Sequence, residues 1–567
     1  MRRVKLKRNY GRGFERRQSM TGAELLVRCL ENEGLEYMFG VPGEENLAVL
    51  EALVDSKIRF LQTRHEQGAA FMADVQGRLT GKASVCLATL GPGATNLLTG
   101  VADANMDRAP LVAITGQAST ELFHKESHQY LDLIALYRPA VKWNAQLIRP
   151  QVVPEAVRKA FKVAQTEKPG ATHLDLPEDV ADGYAPPDLV PLVPQQAFPT
   201  EPRERQIERA AQIISDARDP IVLAGNGVAR GRASAALRGF ADALGIPVVQ
   251  TFMGKGSLPD THPLCLGTIG LQEHDYVSCG LDRADVVVCV GYDLVEYAPA
   301  RWNPRRDKRI VHVDPSPAEV DAAYQVAVGV QGAITESLTR IAGRASARGD
   351  SGKARGAGAL KEIIQKEFRA ELSGDAFPLK PQVVVAALRA VLADNDILVS
   401  DVGAHKLWIA RMYPCMAPNT CVISNGFASM GIALPGAIGA KLVYPERRVL
   451  AACGDGGFLM SAQELETAAR ARTNIVALIF EDSSYGVIKW KQLKRYGRPA
   501  FVDFGNPNFA ALAESFGCRG YRVTTAHELQ PMLEEAFRQP VPAVVTCPVD
   551  YGENLRLTER LGAWVCP

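Results

Sequence analysis

The sequence predicts an α/β protein made of three doubly wound parallel-sheet domains in series. Short runs rich in Val, Ile, Leu and Ala alternate with longer amphipathic stretches along most of the chain. A parallel strand buried on both faces reads as such a run, and its crossover is usually a helix. The alternation falls into three blocks separated by two stretches of linker composition. A length of 567 residues suits three or four ordinary domains.

Residues 1–20 carry eight Lys or Arg, one Glu and no apolar core. They read as an extension outside the chemistry, either a basic arm or sequence upstream of a start at Met20. Thr21 and Glu24 form a capping-box pattern ahead of LLVRCL, so folded sequence is expected from there. The first block, 21–184, offers YMFGV, SVCLATL, LVAITG and THLDL as strands. A proline-rich linker follows at 185–202. The second block, 203–342, offers PIVLAGNG, PVVQTF, DVVVCVGY and RIVHVD. Residues 343–376 begin with Gly, Ser and Arg and read as a second linker. The third block, 377–550, offers DILVSDVG, TCVISN, RVLAACGDGG, NIVALIFED and PAVVTCPV, and 551–567 is a tail.

Net charge is +1, so no global field draws in nucleic acid or an anionic membrane. No apolar run approaches the roughly 18 residues of a membrane span. Eleven cysteines lie scattered, several inside apolar runs and none in a CxxC pair. That usage fits reduced, buried thiols and a cytoplasmic location.

The sharpest chemical signal is in the third block. In an open parallel sheet, ligands bind at the carboxyl ends of the strands. Asp455 ends one strand candidate and Asp482 ends the next, with room for a crossover helix between them. Both carboxylates therefore reach one rim. Gly454, Gly456 and Gly457 let backbone N–H groups approach phosphate oxygens. Two oxygen ligands beside a phosphate-binding turn suit Mg2+.

GDGGF, followed 27 positions after its aspartate by Asp482 and a Ser-Ser-Tyr-Gly loop, resembles the motif of the thiamine-diphosphate decarboxylase and acetohydroxyacid synthase superfamily. The resemblance runs from Thr21 to about Gly562. It implies Mg2+ held by Asp455, Asp482 and the carbonyl of Ser484, with Tyr485 and Gly486 beside the cofactor. In SDVGAHKLWIA, Gly403, Ala404 and His405 match the loop that touches the diphosphate. In SNGFASMGIALPG, Met430 matches the apolar wedge under the cofactor, and the Ala428 carbonyl matches the acceptor for its pyrimidine amino group. An Asp at position 482, where most members have Asn, resembles the catabolic, FAD-independent acetolactate synthases.

RHEQGAA resembles the segment that supplies the activating glutamate, which implies that role for Glu66. A carboxyl hydrogen-bonded to the pyrimidine ring shares a proton with it, and a dry site that raises the carboxyl pKa would help. FGVPGEENL and TLGPGATN resemble active-site loops of the same group. The family arrangement implies that Glu66 of one subunit meets Asp455 of another, in a homodimer or homotetramer.

KESHQYLDLIALYRPAVKW resembles the catabolic segment in which a His-Gln pair lies beside substrate, here His128 and Gln129. Lys491, with Gln129, is expected to orient substrate carboxylates, and Trp490 adjoins a position tied to acceptor choice. Biosynthetic members carry FAD in the middle domain, with an arginine and paired aspartates after the corresponding strand. Asp293, Leu294, Val295 and Glu296 stand there, so FAD is not expected, and the GNGVARG turn reads as a relic. The implied reaction decarboxylates pyruvate and joins the remaining two-carbon unit to a second pyruvate, giving 2-acetolactate and CO2. The alternatives are another thiamine-diphosphate 2-keto acid decarboxylase or carboligase, and a catalytically silent partner subunit. A NAD-dependent dehydrogenase is disfavoured because no convincing GxGxxG with a following acid is present.

Overall fold

The computed structural model describes residues 20–195, 200–270, 276–346, 361–362, 376–552 and 554. Expectations for the N-terminal extension, most of the second linker and most of the tail lie outside these residues.

Each block folds around a six-stranded, wholly parallel sheet. In the first, the order is 59–62, 37–40, 84–88, 111–117, 171–177, 143–146. In the third it is 421–423, 397–400, 449–454, 476–481, 543–548, 519–522. Numbering strands within each block, both orders are 2-1-3-4-6-5. The first and third domains are therefore structural relatives without a visible sequence repeat. The middle sheet runs 265–268, 248–250, 220–224, 286–290, 309–314, 326–331, which is 3-2-1-4-5-6, the dinucleotide-fold order. A short antiparallel pair, Met20–Thr21 with Tyr184–Ala185, ties the two ends of the first domain together. Folded structure thus includes Met20, which is buried. The capping box expected at Thr21 is present, with both reciprocal bonds made.

The helix Glu66–Thr80 connects the first domain to the third. His65 caps its start by accepting the Gln67 N–H at Nδ1, and Gly81 ends it with φ +71. It is buried almost all round because it lies between its own sheet and the helix Ala433–Val443 of the third domain. Small residues allow that approach. A Cβ on Gly439 would stand 2.5 Å from the Met72 carbonyl oxygen. Met72 and Val75 are fully or almost fully buried, and each such side chain is worth about 1.5–3 kcal/mol. One continuous core consequently joins the first and third domains. The nine cysteines whose side chains are described are buried and unbridged. Among the described residues, no helix is long and apolar enough to cross a membrane.

Candidate active site

A cleft of about 460 Å³ opens at the carboxyl ends of the third sheet, where the strand order reverses between Ile397–Ser400 and Val449–Gly454. Gly403, Ala404, His405, Ala428, Met430, Gly454, Asp455, Gly456, Gly457, Asp482, Ser484, Tyr485, Gly486 and Lys491 all line it. Trp490 does too, beside Lys491. The residues expected at this end of the site therefore converge on one cavity.

Asp455 directly follows its strand, and Asp482 directly follows the adjacent one. Asp455 is almost fully buried. Its Oδ1 accepts the Gly456 N–H at 2.8 Å. Its Oδ2 accepts the N–H groups of Asp482 at 3.1 Å and Ser483 at 2.6 Å, and the Asn506 side-chain amide at 2.8 Å. Burial, then the neighbouring Asp455 charge, pushes the Asp482 carboxyl up to about 7. Two facing acids in a dry corner call for a cation. Among the described residues neither is ion-paired, and no three His, Cys, Asp or Glu side chains converge as a ready-made metal site. The pair suits an ion that takes its remaining ligands from main-chain oxygen and phosphate, as Mg2+ does.

Three helices begin at the cleft: Ala404–Met412 after Gly403, Asp455–Leu459 after Gly454, and Gly486–Tyr496 after Tyr485. None has a bond from its N-cap side chain, which leaves first-turn backbone N–H groups other than that of Gly456 open to an anion. A Cβ on Gly457 would lie 2.7 Å from Asp401 Oδ2, so a side chain there would displace that carboxyl group. Among the described residues the buried atoms His405 Nε2, Asn506 Oδ1 and Asp401 Oδ2 have no hydrogen-bond partner. The His405 ring donates to the Asp401 carbonyl, and burial pulls its pKa down to about 3, so it is neutral. Unpartnered polar atoms, open helix starts and paired carboxylates together fit a diphosphate with its metal.

Sequence reasoning missed several residues here. Asp401 directly follows the strand Ile397–Ser400 and accepts the Val402 and Gly431 N–H groups. The rule that singled out Asp455 and Asp482 applies equally to it. Asn506, Lys406, Asn425 and Tyr551 come from loops or a helix interior and carry no such signal. Lys406 is buried, and its Nζ donates to the Ser424 carbonyl and to Asn425 Oδ1. Burial lowers its pKa to about 8.

Glu66, His128 and Gln129 do not line this cleft. Glu66 is the first residue of its helix, 9% exposed, and its Oε2 accepts the Asn96 side-chain amide at 3.0 Å. The loops FGVPGEENL and TLGPGATN leave the two strands at the first domain's own order reversal, and Thr89 Oγ1 donates to Glu45 between them. Gln129 has φ +56 and packs against Gly91 in the second of these loops, while His128 beside it is exposed. The first domain thus presents a rim topologically equivalent to the cleft, apart from it within one chain.

The order reversal of the middle domain lies between 220–224 and 286–290. There the buried Glu296 carboxylate accepts the Asn226 N–H at 3.0 and 3.1 Å, the Asp293 N–H at 3.1 Å and the Thr251 hydroxyl. A Cβ on Gly225 would stand 2.4 Å from the Gly291 carbonyl oxygen. The crevice is closed by the chain's own backbone and the buried Glu296 carboxyl group.

Comparison with known proteins gives matches along most of the chain. Residues 20–136 match the thiamine pyrophosphate enzyme N-terminal TPP binding domain, 207–341 the central domain, and 401–547 the C-terminal TPP binding domain. The chain is 37% identical to an acetolactate synthase of Bacillus subtilis, with 94% of each chain covered. It is 36% identical to a catabolic acetolactate synthase of Raoultella terrigena, covering 96% of this chain and 98% of that one. It is 35% identical to a probable acetolactate synthase large subunit of Methanococcus aeolicus, with 95% and 93% covered.

Proposed function

Because the chain belongs to the acetolactate synthase family of thiamine-diphosphate enzymes, we propose that it decarboxylates pyruvate and joins the two-carbon remainder to a second pyruvate, releasing CO2 and 2-acetolactate. One observation carries this reading: the paired Asp455 and Asp482 carboxylates and three uncapped helix starts share a cleft with Lys491 and Trp490. Thiamine diphosphate, when bound, supplies a carbon nucleophile and an electron sink for decarboxylation.

The chain's own residues do the rest. Asp455, Asp482 and the Ser484 carbonyl hold Mg2+. The helix starts after Gly403, Gly454 and Tyr485 bind phosphate oxygens. Met430 and Ala428, the latter with φ +60, would line the surface against which the cofactor lies. Lys491 orients a substrate carboxylate.

Glu66 would hold a proton toward the pyrimidine ring of a cofactor bound by a second copy. That copy's cleft also receives His128 and Gln129. Exposed apolar side chains on both rims support self-association: Leu47 and Leu131 on the first domain, Phe427, Tyr485 and Ile488 on the third. The buried Glu296 carboxyl group supports a chain that works without FAD, since a dinucleotide phosphate would have to displace it from the donors it occupies.

The test is direct. Purified protein is supplied with thiamine diphosphate, Mg2+ and pyruvate, with and without 2-ketobutyrate, and the products are identified. The expected product is 2-acetolactate from a protein without flavin absorbance. Acetaldehyde without acetolactate would sink the synthase reading in favour of a simple decarboxylase.

A further inference from the structure

The loop 424–430 supplies Asn425, Ala428 and Met430 to the cleft, yet many of the groups that hold it belong to another domain. Asp103, in the helix Pro92–Met106, accepts the Ser424 hydroxyl at 3.0 and 3.1 Å and the Ser429 N–H at 3.0 Å. Asp107, just past that helix, accepts the Gly426 N–H at 2.6 Å. Arg78 bridges Asp107 at 3.4 Å and the Ile423 carbonyl at 2.8 Å. A Cβ on Gly426 would meet Asp107 Oδ1 and the Met106 carbonyl at 2.6 Å, so the loop sits hard against the acids.

Asp103, Asp107, Arg78 and the neighbouring Asp74 are all buried. Burial, then the charges of Asp103 and Asp107, pushes the Asp74 carboxyl up from its usual range. Arg78 forms an ion pair with Asp107 within this buried cluster. Such an arrangement is costly to bury unless its bonds are complete. Here most of the acids' bonds end on the loop. Between the anchors at Gly426 and Ser429 lies Ala428 in the left-handed region, which a non-glycine residue keeps only when its surroundings impose it.

We propose that Asp103 and Asp107 are positioning residues for the cleft of their own chain. They fix loop 424–430 so that the Ala428 carbonyl and the Met430 side chain keep their place. This rests on reading the cleft as the thiamine-diphosphate site, and it assigns a cofactor-supporting role to first-domain residues that line no part of that cleft.

The experiment measures thiamine-diphosphate affinity by fluorescence titration in saturating Mg2+, along with kcat, KM for pyruvate and thermal midpoint. Asp103→Ala is expected to weaken cofactor binding at least tenfold and to lower kcat, with KM for pyruvate little changed. Asp103→Asn, which keeps an acceptor for Ser424 and Ser429, should recover binding to within threefold of wild type. Ser424→Ala alone should weaken binding, and added to Asp103→Ala it should change nothing further. If Asp103→Ala fails to fold, Ser424→Ala and Asp103→Asn still decide the matter: unaltered affinity in Ser424→Ala would overturn the proposal. Independent multiplication of the Asp103 and Ser424 effects would overturn it as well. No binding by the wild-type chain would overturn this proposal and the cofactor reading together; wild-type binding with an unaltered Asp103→Ala overturns this one alone.

Discussion

Replacing Glu66 by Gln tests the activating role separately from the fold. The side chains are the same size, and the surroundings are tight: Oε1 lies 3.3 Å from where a Cβ on Gly93 would be. The amide oxygen can still accept from Asn96, so a charge-assisted bond becomes a neutral one, a difference of about 1 kcal/mol. The thermal midpoint and cofactor affinity should therefore stay near wild type. Turnover should not. Without a carboxyl to exchange a proton with the pyrimidine ring, the general acid–base contribution of roughly 10²–10⁴ is lost, which is about 3–5 kcal/mol on the barrier. Acetolactate formation measures the overall loss. Hydrogen–deuterium exchange at the thiazolium carbon of the bound cofactor localises it to activation. A kcat within threefold of wild type would remove Glu66 from this role, as would a loss explained wholly by weaker cofactor binding.

Two further outcomes follow from the same geometry. Asp455→Ala strands four donors (the N–H groups of Gly456, Asp482 and Ser483, and the Asn506 amide) and removes a metal ligand. Thiamine diphosphate should then no longer stay with the protein through gel filtration at saturating Mg2+, whereas chelator-treated wild type should regain it when Mg2+ is restored. Unchanged retention would mean the metal site lies elsewhere. For Glu296, burial raises the carboxyl from its usual 4.5 to about 7, so the folded chain holds that proton more tightly than the unfolded one. Its stabilising contribution is complete below about pH 4.5 and is lost as pH rises through 7. Glu296→Gln has no such proton to lose. Its denaturation midpoint should gain on wild type between pH 5 and 8, and parallel curves would contradict the assignment.

How much was legible in the sequence depended on where a strand sits. Every interior strand was readable, because burial on both faces writes an unbroken apolar run such as VVVCV or VALIFE. Edge strands were mostly not. WNAQ flanks the first sheet, and RGYR ends the third. Each is half-exposed, and its polar residues look like loop. CLGT and VAVGVQ, at the edges of the middle sheet, interrupt their apolar character with glycine. The site follows the same logic. Asp455 and Asp482 terminate interior strands, so their convergence followed from topology. Asn506 and Lys406 matter through contacts that join distant segments, which no local pattern records. The separation of Glu66 from the cleft is likewise invisible to local sequence and follows from the matching topology of two domains.

The shared core between the first and third domains has a consequence for synthesis. The helix Glu66–Thr80 is complete at residue 80, but the helix that covers its outer face begins at residue 433. At ribosomal rates of roughly 5–20 residues per second, that face stands bare for about 20–70 s while the middle domain is made. The nascent chain is therefore stickiest early and safest late. Shielding that surface while it waits is a demand separate from the stability of the finished enzyme.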